Sequence, residues 1–208
     1  MRHGILGGTF DPVHHGHLDV ATAARRALAL DEVELVPAGV PPHRGTPRAA
    51  IGHRLAMARL AVADVDGLTV SDLESEGTGP SYTSSTLDRL SKRGMDLGAV
   101  FLVTGADAFR EIATWKDYPG LLERCHFVAV SRPGCPASSL PAALPDLAPR
   151  MRTAPGQIPA RPGIFLVHAD TAAVSSTEVR RRVAAGEPID GLVPAAVARY
   201  IRNHGLYA

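Results

Sequence analysis

GGTFDPVHHGH, residues 7–17, follows a short apolar run at residues 5–6 and leads into an alanine-rich segment with apolar residues at helical spacing. This order predicts a strand, a glycine turn and the N-terminus of a helix. Gly7 and Gly8 let a ligand approach the backbone closely because neither residue carries a Cβ. The unpaired N–H groups at the start of a helix suit a phosphate. The stretch therefore predicts a phosphate-binding turn.

Strand-like and helix-like segments alternate along the chain after this turn. Apolar runs predict strands at residues 3–6, 32–37, 68–73, 99–104, 126–130 and 164–168. Helical spacing predicts helices at residues 16–30, 51–65, 82–93, in a short stretch up to 113, from 175 onward and at 194–203. Such alternation predicts an α/β protein, with a Rossmann-like three-layer fold around a mostly parallel sheet. We expect one domain over residues 1–208, in which residues 174–208 form a small C-terminal helical part.

A proline-rich segment interrupts this alternation at residues 133–163, which contain eight prolines. Proline removes a backbone donor and fixes φ, so we expect an extended surface loop with one helical turn at most. The sequence does not decide whether this segment is only a surface loop, part of an interface or a lid over a site.

Composition narrows the classes of partner. The 208 residues carry a net charge of +1, which offers no electrostatic reason to bind nucleic acid or an anionic membrane. No apolar run approaches the roughly 20 residues of a membrane span, and Cys125 and Cys135 form no C-x-x-C motif. We expect a cytoplasmic protein with free thiols, and the sequence leaves open whether it forms a homo-oligomer.

The glycines of the opening stretch match neither G-x-G-x-x-G nor the P-loop. Residues 9–17 instead resemble the T/H-x-G-H signature of the nucleotidyltransferase superfamily. The wider pattern, G-G-T-F-D-P-x-H-x-G-H, resembles that of the bacterial nicotinate-nucleotide adenylyltransferases. The alternative is that His14, His15 and His17 are ordinary polar turn residues or an adventitious metal cluster.

A second motif lies some 160 residues further along. Ser175 and Glu178 have the S-x-x-E spacing of a capping box, which predicts a helix N-terminus there. Arg180 follows within a turn, so hydroxyls, N–H groups and a cation come together as a second anion site. The stretch resembles the I-S-S-T-x-I/V-R motif of the same superfamily, with Val174 in the first position. A capped helix followed by arginine is common, but the two motifs in this order are specific.

The resemblance implies an adenylyl transfer from ATP, assisted by Mg²⁺, with no metal held by a dedicated set of protein ligands. Such a reaction depends on positioning and on neutralising phosphate charge, so it needs donors and cations rather than a general base. The resemblance implies catalytic roles for His14, His17 and Arg180. It implies ATP contacts for Gly7, Gly8, Thr9, Phe10, His14, His17, Gly105, Asp107, Ser175, Ser176, Thr177 and Arg180. Asp107 is a candidate for positioning a ribose or the backbone, and the alternative, a helix N-cap, is slightly favoured by the sequence.

The middle of the chain resembles the nicotinate enzymes in four places: P-P-H-R at 41–44, S-Y-T at 81–83, G-A-D at 105–107 with Trp115, and R-P-G at 132–134. Arg44 stands where lysine is commoner, and Ser85 stands where Asp is frequent. The resemblance implies contacts with nicotinate mononucleotide for Asp11, His43, Arg44, Tyr82, Thr83, Trp115 and Lys116. The alternatives are a proline-stiffened surface loop at 41–44 and plain core packing for Trp115.

The implied products are deamido-NAD and pyrophosphate, in NAD biosynthesis. Two other readings stay open. The first is a sister transferase that adenylylates nicotinamide mononucleotide or phosphopantetheine. The second is a catalytically silent nucleotide-binding module, which the presence of His14, His17 and Arg180 disfavours.

Overall fold

The computed structural model describes residues 1–42, 45–75, 79–154 and 158–208. In this part of the chain seven strands form one sheet in the order β3-β2-β1-β4-β5-β7-β6, and every pairing is parallel. The strands are β1 (His3–Gly8), β2 (Glu32–Pro37), β3 (Leu68–Val70), β4 (Val100–Gly105), β5 (His126–Val130), β6 (Met151–Thr153) and β7 (Ile164–Val167). The α-helices are α1 (His15–Leu28), α2 (Ile51–Val62), α3 (Thr83–Lys92), α4 (Ala106–Phe109), α5 (Leu140–Ala143), α6 (Ser176–Ala184) and α7 (Ala195–Asn203).

Helices cover both faces of the sheet and bury an apolar core on each. One core includes residues of α1, α2, α6 and α7, so the C-terminal helices share it with the opening helix. The other includes residues of α3, α4 and α5. The central strands are continuous apolar runs because both of their faces are covered, as in β4 and β5. The predicted α/β class with a three-layer Rossmann-like fold is confirmed.

The strand order reverses direction between β1 and β4. From β1 the chain moves outward to β2 and β3, and it then returns to β4 on the other side of β1. In open parallel sheets such a reversal leaves a crevice at the carboxyl ends of the two strands, where ligands bind. Gly8 ends β1 and Gly105 ends β4, so both glycine turns of the sequence lie at this crevice.

The expectation of an extended loop at residues 133–163 was wrong. The described part of this segment contains 3-10 turns at Ala137–Ser139 and Pro145–Arg150, helix α5 and the edge strand β6. Pro141 and Pro145 lie in the first turns of their helices, where proline costs no hydrogen bond. Leu140 and Leu147 are buried, so apolar contacts hold the segment on the sheet despite its prolines.

Within the described residues, no helix is long and apolar enough to cross a membrane.

Candidate active site

A cavity of about 420 Å³ lies at the reversal between β1 and β4. Both motifs singled out in the sequence contribute to its walls. The predicted ATP-contact residues that line it are Gly7, Gly8, Thr9, Phe10, His14, His17, Gly105, Asp107, Ser175 and Ser176. The predicted acceptor-contact residues that line it are Thr83 and Trp115, and their contacts stay predictions.

The two histidines meet at the first turn of α1. His14 is the N-cap residue, and its backbone N–H donates to Nδ1 of His17 over 3.2 Å. Their rings stack with centroids 3.6 Å apart, and the edge of Phe10 packs on His17. Because Nδ1 of a neutral His17 accepts a hydrogen bond, its proton is on Nε2. His17 is therefore prepared to donate a hydrogen bond from Nε2.

The His14 side chain is only 3 % exposed. Burial, reinforced by the positive charges of Arg132 and His15, lowers the pKa of its imidazole from 6.5 to about 3. His14 is therefore neutral at physiological pH, so its predicted role toward a phosphate is that of a hydrogen-bond donor rather than a cation. This agrees with the donor role inferred from the chemistry.

The second motif folds as its spacing predicts and docks onto the first. Ser175 caps α6 by accepting a hydrogen bond from the backbone N–H of Glu178 at 3.1 Å. The Ser176 hydroxyl donates to the carbonyl of Pro12 at 2.9 Å, across 164 residues of sequence. These contacts place the N-terminus of α6 against the glycine turn, so both predicted anion sites belong to one cavity.

Arg180 lies beside the cavity rather than in its wall. Its Nη1 donates to the backbone carbonyl of Asp11 at 2.6 Å, and its Nη2 donates to Thr177 Oγ1 at 3.2 Å. The same Nη1 is 3.9 Å from a carboxylate oxygen of Asp11. Arg180 is thus held by the opening motif and binds Thr177 in turn, while the direct contact of both residues with ATP stays a prediction.

Asp11 is buried away from the cavity, which differs from its expected place among the acceptor contacts. Its carboxylate accepts hydrogen bonds from the backbone N–H groups of Arg48 and Ala49, at 2.8 and 3.1 Å. It also accepts one from the Tyr207 hydroxyl at 2.7 Å. Burial and this carboxylate raise the pKa of Tyr207. The geometry gives Asp11 a bracing function between the opening turn, the loop before α2 and the C-terminal segment.

The remaining acceptor-side residues fall into three groups. Trp115 is half-buried and packs on the core below, as the packing alternative predicts. It also lines the cavity, where its stacking on a substrate ring stays a prediction. Lys116 and Tyr82 lie next to this wall, with the Lys116 ammonium 4.7 Å from the centre of the Tyr82 ring. His43 and Arg44 lie outside the described residues, but Pro41 and Pro42 before them line the cavity.

Asp107 is an exposed residue in the first turn of α4, and Gly105 occupies the N-cap position of that helix. The helix-cap alternative for Asp107 is therefore wrong. Its place in the cavity wall agrees with the ligand-contact expectation, which stays a prediction.

The sequence interpretation missed Arg132 as a member of the site. Its guanidinium lines the cavity and donates to the carbonyls of Gly16 and Val174, at 3.0 and 3.3 Å. It thereby joins the start of α1 to the segment before α6. A Cβ on Gly16 would lie 2.7 Å from Arg132 Nη1, so this approach requires glycine. The only feature of the sequence that pointed to Arg132 was the R-P-G resemblance, directly after an apolar strand.

A buried acid in the cavity wall was also missed. Glu74 is 5 % exposed and accepts a hydrogen bond from the Thr86 hydroxyl, and both residues line the cavity. Glu74 stands in a short turn after β3 that carries no recognisable motif. Its carboxylate is a hydrogen-bond acceptor on a wall otherwise rich in donors.

The fold agrees with the family to which the sequence is similar. A cytidylyltransferase-like family model matches residues 5–182. The chain belongs to the cytidylyltransferase-like family. Both ends of this match fall on the elements that build the cavity, from β1 to α6. The family assignment and the geometry therefore rest on the same residues.

Within the cytidylyltransferase-like family, similar proteins carry one activity in their names. A probable nicotinate-nucleotide adenylyltransferase of Roseiflexus sp. (strain RS-1) is 44% identical over 205 residues, which cover 98% of this chain and 96% of that protein. One of Pseudomonas syringae pv. tomato is 42% identical, covering 99% and 93%. The fold resembles that of a Plasmodium falciparum nicotinic acid mononucleotide adenylyltransferase complexed with NaAD, with a TM-score of 0.77, 17% identity and coverage of 99% and 97%.

Proposed function

We propose that this protein is a nicotinate-nucleotide adenylyltransferase, which moves AMP from ATP to nicotinate mononucleotide and gives deamido-NAD and pyrophosphate in NAD biosynthesis. The observation that carries the proposal is the docking of α6 onto the opening turn, which brings two phosphate-binding helix starts to one cavity. Relatives over 40% identical along nearly the whole chain carry the same name.

In the proposed reaction a phosphate oxygen of nicotinate mononucleotide attacks the α-phosphorus of ATP. The new P–O bond forms as the bond to the β-phosphate breaks, and pyrophosphate leaves with the electron pair of that bond. The attacking phosphate is already ionised at neutral pH, so no side chain has to remove a proton. Catalysis then consists of alignment and of charge stabilisation by preorganised donors.

We assign the α-phosphate to the donors at the start of α1. The Nε2–H of His17 and the neutral imidazole of His14 provide donors there without the repulsion of two adjacent imidazolium ions. The start of α6, with Ser175 and Ser176, faces the same cavity and suits the departing pyrophosphate. Arg132 and Arg180 provide positive charge on either side.

Mg²⁺ fits this site as a companion of ATP. Among the described residues there is no group of three or more His, Cys, Asp or Glu side chains that could hold a metal. Mg²⁺ commonly binds through substrate phosphates and water with one or two carboxylates, and Asp107 in the cavity wall offers one. Bound there, the ion would offset charge on the triphosphate.

The opposite wall suits the nicotinate end of the acceptor. The indole of Trp115 offers a flat surface for the pyridine ring, and the N-terminus of α3 at Thr83 offers donors for a carboxylate. Uncharged nicotinamide gains less from those donors, so we expect a preference for the acid. The cytoplasmic location and a homo-oligomer stay predictions from the sequence.

The decisive experiment measures pyrophosphate release with ATP and Mg²⁺ while one acceptor at a time is supplied. We expect release with nicotinate mononucleotide, less with nicotinamide mononucleotide and none with phosphopantetheine. A preference for either of the other acceptors would reassign the substrate. No release with any of them would favour the silent nucleotide-binding module and refute the proposal.

A further inference from the structure

Arg54 is a buried cation that the proposed reaction does not use. It projects from the first turn of α2 and is 1 % exposed, among the largest fully buried side chains of the described residues. Its guanidinium donates to four backbone carbonyls. They belong to Ala49 (3.1 Å), Thr9 (2.8 Å), Ala38 (2.7 Å) and Gly39 (3.2 Å).

Three of these four carbonyls belong to one loop. We use the name proline loop for residues 38–42 and 45–49, which lie between β2 and α2 and include Pro41 and Pro42 of the cavity wall. Arg54 binds the start of this loop at residues 38 and 39 and its end at residue 49. A single side chain thus bridges the two ends of the proline loop.

The Asp11 carboxylate holds the same end of the loop from the other side, through the N–H groups of Arg48 and Ala49. Burial lowers the pKa of the Arg54 guanidinium, and the negative charge of Asp11 opposes that shift. An arginine stays charged in proteins, so the fold accepts the cost of burying this charge. Replacing a buried ion by apolar residues often leaves a protein equally or more stable. Stability alone therefore does not explain Arg54, and we looked for its role in the shape of the loop that it holds.

The proline loop is also connected to the acceptor side of the cavity. The backbone N–H of Val40 donates to Ser81 Oγ at 3.2 Å, and the N–H of Ser81 donates to the Val40 carbonyl at 2.8 Å. Ser81 lies two residues before Thr83, and both line the cavity. A displacement of residues 38–40 therefore moves the wall to which we assign the nicotinate carboxylate.

We propose that Arg54 is a positioning residue for acceptor binding: it holds the proline loop, and through Val40 and Ser81 the start of α3, where the acceptor nucleotide binds. The proposal rests on the proposed function for the identity of the acceptor. Three of its four acceptors belong to the proline loop and one, the carbonyl of Thr9, belongs to the opening turn, while neither His14 nor His17 is among them. We therefore expect its substitution to weaken acceptor binding more than ATP binding or the chemical step.

The test compares Arg54→Lys with the matched control Arg150→Lys. Arg150 likewise binds backbone carbonyls, those of Leu122 and Pro162, and it lies next to the edge strand β6, far along the sheet from β1 and β4. Lysine keeps the charge in both variants but loses the fork of donors. For Arg54→Lys we expect the acceptor KM to rise roughly tenfold, with ATP KM and kcat changing by less than about threefold.

A second readout avoids turnover altogether. Trp115 is the only tryptophan of the chain and lines the cavity, so its fluorescence reports acceptor binding without ATP. The dissociation constant should rise in Arg54→Lys and stay unchanged in Arg150→Lys, even where both melt at lower temperature. Equal effects of the two variants, or equal increases in acceptor and ATP KM for Arg54→Lys, would overturn the proposal.

If Arg54→Lys fails to fold, Gly39→Ala tests the same contact region. A Cβ at Gly39 would lie 2.4 Å from the carbonyl oxygen of Glu74, so the start of the loop must shift while Arg54 is intact. It should raise acceptor KM selectively, and an unchanged KM would refute the role of the loop.

Wild-type protein is assayed first, and whichever acceptor it uses is titrated. An error in the proposed substrate then appears in the wild type, and an error about Arg54 appears only between variants.

Discussion

The His14→Gln variant tests whether the buried imidazole at the start of α1 is neutral. The folded-state pKa is about 3 and the ordinary value is 6.5, so the unfolded chain binds a proton there first as pH falls. A histidine whose pKa is lowered in the folded state therefore makes the folded protein less stable as the pH falls below 6.5. Between pH 7 and pH 5 this group alone lowers the free energy of unfolding by about 2 kcal/mol. Glutamine keeps an amide donor but does not titrate.

The assay is urea unfolding of wild type and variant at pH 5, 6, 7 and 8, followed by circular dichroism. We expect the difference between the two free energies to change by about 2 kcal/mol from pH 7 to pH 5, because all other titrating groups are common to both proteins. Two parallel curves, with a constant offset, would refute the assignment of a neutral His14. The comparison requires that the m-value, the dependence of the free energy of unfolding on urea concentration, changes with pH in the same way in both proteins.

Adding ATP should reduce that pH-dependent difference. Arg132 contributes to the low pKa of His14, and a bound phosphate supplies the opposite charge, which favours the imidazolium. If saturating ATP leaves the difference unchanged, the triphosphate does not bind next to His14.

Two further substitutions test the opening turn. A Cβ at Gly7 would meet no atom of the described residues within 4 Å, yet Gly7 lines the cavity. Gly7→Ala should therefore leave the melting temperature nearly unchanged and lower kcat/KM for ATP roughly tenfold. Unchanged kinetics would place the nucleotide elsewhere. His17→Ala should lower kcat by roughly 10²-fold or more, as expected for the loss of a preorganised donor. His15→Ala, the control on the same turn, should keep the wild-type kcat. A similar loss in both variants would point to damage to the helix rather than to the loss of a donor.

Local patterns predicted the features that depend on neighbours in sequence. Ser175 caps α6 through the backbone N–H of Glu178, three residues away, as the spacing predicts, whereas the Glu178 carboxylate binds Arg181 and Arg182 instead of completing the capping box. The strand at 99–104 is a continuous apolar run, and it became the central strand β4, displaced by one residue. In both cases the physical cause lies within a few residues of its effect.

Features that depend on distant contacts were not predicted. Arg54 has the spacing of an ordinary helical residue, and only the folded chain shows that four carbonyls from three segments surround it. Arg132 is one arginine among many until β5 places it between Gly16 and Val174. Asp11 lies inside a ligand-binding motif, yet backbone donors 37 and 38 residues away occupy its carboxylate.

The contact between Asp11 and Tyr207 has a consequence for the order of events during synthesis. The two residues are 196 positions apart, so at roughly 5–20 residues per second the ribosome needs about 10 to 40 s between them. Ser176 and Arg180, which complete the proposed phosphate site, are also translated late. A nascent chain stalled before Ser176 therefore carries the glycine turn and its histidines without the second half of the pocket. Any ligand contact that needs both halves of the cavity therefore requires a chain translated through α6.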